Sequence, residues 1–543
     1  MDIVSVNTVP FQDQIPGTSG LRKKVSVFKQ PHYLENFIQS VFDCLEGFEG
    51  KTLVIGGDGR YYNSTAIQTL IRMAIANQFG RIIVGQDGIL STPATSHVIV
   101  KYGAVGGFIL SASHNPGGPE GDFGIKFNTS QGAPAPQSLT DRFAKRTAEI
   151  NRFWTADLPP IDLSQVGEQA FGSTIVQVID PVADYTAYMQ EIFDFDAIRD
   201  LFGGGFSMTF DAMNAVTGPY AKHIFEDLLG AKAGSVVRAK PLPDFGGLHP
   251  EPNLTYAHEL VERMYVPDAP DFGAASDGDG DRYMILGRSF FLNPSDSLAI
   301  LARYLDTIPF YKGKVTGVAR SMPTSFAVDA VAGQKKIDLY QTPTGWKFFG
   351  NLLSAGKIAL CGEESFGAGS SHLQEKDGIW AILCWLSILA KTGKTVEQLT
   401  RQMWRHDGRV FTELHNYDIA DKEVAATVMK TIRDKLPTLI GSRFGDREVS
   451  EAYSFTYTDP ITGEVTENQG LCVFFGPDER LVYRLSGTSS VGATLKIYLN
   501  RRVKNTDAFN RGPSEMLAEL TDISQKISEL KNLTGLKKPS MIT

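Results

Sequence analysis

Two hydropathy regimes alternate along the chain. Short, nearly continuous apolar runs end in clusters of Gly, Asp and Ser at 52–60, 81–89, 105–118, 206–216, 272–286, 315–325 and 358–365. Segments with helical spacing follow them, and the pattern predicts helices at 32–46, 64–78, 181–200, 218–230, 255–265, 294–306, 345–354, 376–391 and 395–405. Continuous apolar strands between helices mark parallel sheets covered on both faces. In such layers ligand groups collect in the loops that follow the carboxyl ends of the strands.

After Gly408 the texture changes. A charged helix over 420–436 is followed by strand-like runs at 452–459, 471–476, 480–486 and 494–500. The expected architecture is three tandem related α/β domains with parallel or mixed sheets, then a C-terminal α+β domain. Soft boundaries at Pro-containing or polar stretches divide the chain into 1–190, 191–303, 304–405 and 406–543. In the tail, Met516, Leu520, Ile523, Ile527 and Leu530 form one apolar stripe on a helix that starts at Pro513 and stops before Gly535. That stripe is expected to pack on its own domain.

Composition narrows the function classes. The chain has 543 residues, with 53 Lys+Arg against 61 Asp+Glu and a net charge of -8. That balance argues against nucleic-acid binding, which needs a cationic surface. Cys44, Cys361, Cys384 and Cys472 lie far apart and lack metal-ligand spacing, so buried free thiols are expected. The apolar stretch Ile379 to Ala390 falls short of the ~20 residues a membrane span needs, and reads as a core helix. No leader or transit pattern opens the chain. A cytoplasmic protein without membrane partners is the expectation.

Four polar clusters carry candidate chemistry. Ser111-Ala112-Ser113-His114-Asn115-Pro116 follows an apolar strand and sets a nucleophile beside a proton carrier, although such residues also make ordinary turns. Asp277-Gly278-Asp279-Gly280-Asp281-Arg282 brings three carboxylates together, and their mutual repulsion calls for a cation. An EF-hand would carry Gly and Glu where Arg282 and Arg288 stand. An all-oxygen set beside Arg fits Mg²⁺ next to a phosphoryl group. Glu363 and Ser365 offer acceptors and a donor for sugar hydroxyls, or form a plain strand-to-helix turn. Arg484-Leu485-Ser486-Gly487-Thr488 reads as an anion nest.

Taken together, these clusters resemble the α-D-phosphohexomutase superfamily over nearly the whole chain, and within it the phosphoglucomutase family. Supporting stretches are Pro16 to Arg22, Gly121 to Phe127, Phe245 to Tyr256, Thr342 to Trp346 and Gln374 to Gly378. The resemblance implies four domains around a central cleft. It implies interconversion of glucose 1-phosphate and glucose 6-phosphate through phospho-Ser113, one Mg²⁺ and a glucose 1,6-bisphosphate intermediate. Ser113, Asp277, Asp279 and Asp281 would hold the ion. Arg22 and Arg282 would contact the phosphoryl group or substrate. His114, Lys126 and Lys376 are candidates for acid/base work or charge stabilisation, with no choice among them. Thr344, Gly345, Glu363 and Ser365 would bind the sugar. Arg484, Ser486, Gly487, Thr488 and Lys496 would clamp the non-reacting phosphate. Lys496 departs from the pattern, where an Arg is expected; it keeps the charge but loses the planar fork. The implied partners are sugar phosphates, and the chain is expected to be a monomer or weak homo-oligomer. Three other readings compete: a phosphomannomutase or dual-specificity mutase, a catalytically silent binding protein, and a phosphatase acting through Asp277.

Overall fold

The first apolar runs become neighbouring strands of one sheet. The structure is a computed structural model that describes residues 1–17, 19–486 and 492–543. Gly106–Leu110, Thr52–Gly57, Arg81–Gly85 and Thr174–Ile179 lie side by side and parallel. Antiparallel strands Asp122–Thr129 and Leu21–Lys24 extend one edge, and Gly167–Phe171 the other. Ile55 pairs with Phe108 and Leu53 with Ile82, all fully buried. Helices including Tyr33–Phe42 and Asn63–Ala76 bury Phe37, Ile38, Ile67 and Leu70 in the same core as these strands. A second sheet has Val236–Val237, Met208–Asp211 and Phe272–Ser276 in parallel, followed by the antiparallel strands Tyr283–Gly287 and Phe290–Phe291. Leu360–Glu363 and Gly367–Ser370 form an antiparallel hairpin.

The chain divides into two compact units. One comprises Met1–Pro294, Arg303–Val318 and Gly345–Glu397; the other comprises Ser295–Ala302, Ala319–Thr344 and Gln398–Thr543. The chain therefore passes between them after residues 294, 302, 318, 344 and 397. The second unit holds an antiparallel sheet in the order Glu451–Ser454, Leu471–Phe474, Glu479–Ser486, Ala493–Val503, Arg409–Ile419, Met541–Ile542. Helices Lys422–Leu439 and Pro513–Ser528 bury their apolar stripes in its core. Within this unit the buried Arg480 donates through Nη2 to the carbonyls of Pro323 and Thr324 at 3.2 and 2.5 Å.

Most predicted elements form, with local changes. The expected helix over 181–200 is two, Ala183–Ile192 and Phe195–Gly203, because Asp194 caps the second by accepting from the Ala197 N–H at 3.1 Å. The 218–230 helix widens to π geometry over Lys222–Leu228. The tail stripe packs on its own domain as expected, but the helix breaks at Glu529, which takes φ +50°, before Leu530–Thr534. Gly378–Thr392 is a core helix, and among the described residues no single helix is long and apolar enough to cross a membrane. All four cysteines are buried and free.

Candidate active site

Strand Gly106–Leu110 is buried throughout and delivers Ser113 at its carboxyl end. Ser113 takes φ +53°, a left-handed conformation costing about 1–2 kcal/mol for a residue with a Cβ. Hydrogen bonds hold it there. The Ser113 N–H donates to Ser111 Oγ at 2.7 Å, and Ser111 Oγ donates to Asp58 Oδ2 at 2.7 Å. Arg60 Nη2 donates to the Ser113 carbonyl at 2.6 Å, and Nη1 to the Asp122 carbonyl at 3.0 Å. Arg60 Nε pairs with Asp58 Oδ2 at 2.8 Å, and neither side chain is exposed.

The metal-type loop follows strand Phe272–Ser276 and meets Ser113. Ser113 Oγ donates to Asp277 Oδ2 at 2.9 Å. Asp277 Oδ1 accepts the backbone N–H groups of Gly280, Asp281 and Arg282 at 3.1, 3.0 and 3.1 Å, which folds the loop around it. Gly278 is required for the approach, since a Cβ there would collide with the Ser113 carbonyl oxygen. Asp277, Asp279 and Asp281 are all buried, with one oxygen of each within 4.8 Å of the others. Burial first, then the Asp281 and Asp279 charges, push the Asp277 carboxyl well above its ordinary range. Asp279 stays below its range: burial opposes ionisation, but Lys126, the Thr92 hydroxyl at 2.7 Å and Lys376 outweigh it. Asp279 Oδ1 and Asp281 Oδ1 are buried without hydrogen-bond partners among the described residues, Asp281 Oδ1 lying 3.9 Å from Arg282 Nε. Three crowded carboxylates, two of whose oxygens accept no hydrogen bond from the described residues, fit a hard divalent cation.

Cations ring the triad. Lys126 Nζ lies 3.4 Å from Asp279 Oδ2, and Lys376 Nζ lies 3.1 Å from Asp281 Oδ2. Burial disfavours the Lys126 charge, yet Glu375 and Asp279 raise its pKa above the usual lysine value. Arg22 lies on the edge strand opposite Gly124, with Nε buried and without a hydrogen-bond partner among the described residues, and burial lowers its pKa. Arg282 Nη1 is 3.6 Å from Glu251 Oε1. The His114 ring is held neutral, by burial first and then by Arg282 and Arg22, with Nδ1 3.4 Å from Ser113 Oγ.

The remaining predicted residues fall in two groups. Glu363 ends its strand and accepts the Gly345 N–H at 3.1 Å; burial raises its carboxyl. Ser365 is half-buried two residues on, and the Thr344 hydroxyl is buried without a hydrogen-bond partner among the described residues. In the second unit Arg484 and Lys496 are cross-strand neighbours, as are Ser486 and Thr494. Arg484 Nη1 donates to Tyr498 Oη at 3.3 Å. Gly487 and Thr488 lie outside the described residues.

Family models for three phosphoglucomutase/phosphomannomutase α/β/α domains match residues 13–152, 183–289 and 293–406. A model for the phosphoglucomutase-1 C-terminal domain matches 409–540. Phosphoglucomutase of Rhizobium radiobacter is 52% identical over 541 residues, covering 100% of both chains. Human phosphoglucomutase-1 is 48% identical over 560 residues, again covering 100% of both. The chain belongs to the phosphoglucomutase family. The crystal structure of pp63/parafusin, a phosphoglucomutase from Paramecium, superposes with a TM-score of 0.93 at 46% identity, covering 100% of this chain and 99% of that one. Three α/β/α domains and a distinct C-terminal domain are thus the architecture, and the chain is a mutase.

Sequence reading passed over several residues of this phosphoglucomutase-family site. Asp58 and Arg60 stand in GGDGR, in the polar cluster that ends the 52–60 run, and carry no motif of their own. Thr92 and Glu375 give no local signal. His249 and Glu251 belong to the Phe245 to Tyr256 stretch, which carried the resemblance but no role. The His249 ring stacks on Tyr256 at 4.3 Å, and the Pro250 carbonyl accepts the Gly278 N–H at 3.2 Å.

Proposed function

We propose that this chain interconverts glucose 1-phosphate and glucose 6-phosphate, with Ser113 as the phosphoryl carrier and glucose 1,6-bisphosphate as the intermediate. The observation that carries the reading is Ser113 Oγ, 2.9 Å from Asp277 Oδ2 at the rim of a buried acidic triad. Phospho-Ser113 gives its phosphoryl group to the 6-hydroxyl of glucose 1-phosphate: the bond to Ser113 Oγ breaks as the bond to O6 forms, and the O6 proton ends on Ser113 Oγ. In the second transfer the bond from phosphorus to O1 breaks as the bond to Ser113 Oγ forms, the serine proton ends on O1, and glucose 6-phosphate is left. Asp277, Asp279 and Asp281, with the Ser113 phosphate, would hold one Mg²⁺, which when bound neutralises charge on the transferring group as a Lewis acid.

The chain's own residues do the rest. Arg22 and Arg282 bind phosphoryl oxygens, and the Arg22 Nε has no hydrogen-bond partner among the described residues to give up. Neutral His114 offers Nδ1 as a proton acceptor beside Ser113 Oγ. Lys126 and Lys376, tied to Asp279 and Asp281, stabilise developing charge. Glu363, Ser365, Thr344 and Gly345 bind hexose hydroxyls. Arg484, Ser486, Gly487, Thr488 and Lys496 hold the phosphate that is not reacting. Ser113, the three Asp residues and Arg484 are all retained in the sequence, which favours an active mutase over a silent binding protein. Four free buried thiols agree with a reducing, cytoplasmic setting.

Conversion of glucose 1-phosphate is measured with Mg²⁺ and a trace of glucose 1,6-bisphosphate, for wild type and Ser113→Ala. Turnover by wild type that vanishes in Ser113→Ala is expected. Persisting turnover in Ser113→Ala overturns the phosphoserine mechanism. A folded, inactive wild type that converts mannose 1-phosphate moves the sugar assignment.

A further inference from the structure

Lys376 is followed directly by Asp377, whose side chain belongs to a buried polar network of its own. Asp377 Oδ1 accepts the Tyr185 hydroxyl at 2.6 Å and the Trp380 N–H at 3.0 Å. Asp377 Oδ2 is 3.1 Å from His372 Nε2, and neither side chain is exposed. His372 Nδ1 is 2.6 Å from Ser370 Oγ, which in turn bonds Tyr311 Oη. The Trp380 indole donates to Tyr311 Oη at 2.8 Å. None of these residues takes part in the chemistry above.

The donors fix the direction of this chain. An indole N–H can only donate, so Tyr311 Oη accepts it. Every proton is then used in one arrangement: Tyr311 donates to Ser370, Ser370 donates to His372 Nδ1, and His372 Nε2–H donates to Asp377. Burial first, then the Asp377 charge, hold the Tyr185 phenol well above its ordinary pKa, so it remains a donor. Asp377 is thus a buried carboxylate with three donors converging on it. A fully satisfied buried network selects one conformation, because each alternative leaves a polar group unpaired.

That conformation bears on the active site on either side of Asp377. The Asp377 N–H donates to the Ala368 carbonyl at 2.9 Å, and the Gly378 N–H donates to the Gly280 carbonyl, in the metal-type loop, at 3.0 Å. Lys376 Nζ lies 3.1 Å from Asp281 Oδ2 and 5.9 Å from the centre of the Trp346 ring. A long lysine chain has much rotamer entropy to lose in such a geometry. Anchoring its backbone leaves only the side chain to be ordered.

We propose that the buried chain Trp380–Tyr311–Ser370–His372–Asp377, with Tyr185, is the positioning device for Lys376: it fixes the backbone from which the amine reaches Asp281. Asp377, His372 and Tyr185 are positioning residues, and the proposal rests on the reading of Lys376 as a group of the mutase site.

Two measurements on the full chain test it. The first is independent of turnover. Trace acetylation with acetic anhydride, read by mass spectrometry, compares Lys376 with the other lysines. In Asp377→Asn and in the conservative Tyr185→Phe, Lys376 labelling is expected to rise several-fold while the other lysines keep their rates. The second is kinetic: kcat is expected to fall at least tenfold in Asp377→Asn at nearly constant KM, and less in Tyr185→Phe. Unchanged Lys376 labelling in folded variants overturns the proposal, whatever the rates do. Labelling that rises at every lysine means general loosening and also overturns it. If labelling rises at Lys376 alone while kcat holds, positioning stands and the catalytic reading of Lys376 fails. If Asp377→Asn does not fold, Tyr185→Phe, which removes one hydroxyl, decides on the same outcomes.

Discussion

At Gly367, a Cβ would come 2.6 Å from Lys376 Cδ, so the absent side chain is the space the lysine passes through. Gly367→Ala is expected to displace Lys376 from Asp281 and lower kcat at least tenfold. The obstacle is a flexible side chain, so the melting temperature is expected to stay within about 2–4 °C, the shift of a 1 kcal/mol effect or less. Steady-state kinetics beside a thermal melt separate the two effects. Asp296 poses a different question at the same scale. It is buried and accepts the Trp404 indole N–H at 2.9 Å, and burial pushes its carboxyl up to about 6 from an ordinary 3.8. The folded state therefore favours the protonated form. The stability this contributes is full below about pH 4 and is lost as pH rises past about 6. Asp296→Asn keeps an acceptor for Trp404 and removes the buried charge. It is expected to stabilise the protein by roughly 2–3 kcal/mol at pH 8 and by nothing near pH 4, read from denaturation at both pH values.

At the scale of elements, strands end in loops, and the loops are tied to one another by buried ion pairs. The Asp58–Arg60 pair belongs to the loop after Thr52–Gly57, yet its donors hold the Ser113 loop after the neighbouring strand. Arg60→Met leaves a buried carboxylate without its cation and is expected to cost about 3–5 kcal/mol in chemical denaturation. It is also expected to lower the extent of Ser113 phosphorylation measured by intact-mass spectrometry. This pairing explains what the sequence made legible. The loops bearing Ser113, Asp277 and Glu363 announced themselves because each follows a continuous apolar run, and a strand end is where such layers put ligands. Asp58 and Arg60 look like their peers in any GDGR turn; what distinguishes them is a partner 53 residues away. The same applies to Tyr185 and Asp377, 192 residues apart. Hydrophobic period reads local burial and is silent on which polar groups meet. It also missed the Asp194 cap and the left-handed Glu529, where one residue breaks a helix without breaking the apolar stripe.

At the scale of the whole molecule, the acidic triad stores repulsion that a divalent cation relieves. Mg²⁺ is expected to raise the melting temperature in proportion to the logarithm of its concentration, by about 2.7 kcal/mol of stability at one hundred times its dissociation constant. Asp279→Asn is expected to abolish most of that gain, and EDTA to reverse it in the parent; calorimetry with and without the ion reads both. The path of the chain carries a further consequence. Each compact unit is stitched from segments distant in sequence, with exchanges after residues 294, 302, 318, 344 and 397. Arg480, in the C-terminal sheet, depends on the carbonyls of Pro323 and Thr324, contributed by an excursion of the chain more than a hundred residues upstream. The last domain is therefore not a cassette. Excised at residue 398 it leaves behind the carbonyls that satisfy its own buried guanidinium and keeps only the Asn500 amide oxygen at 3.3 Å as an acceptor.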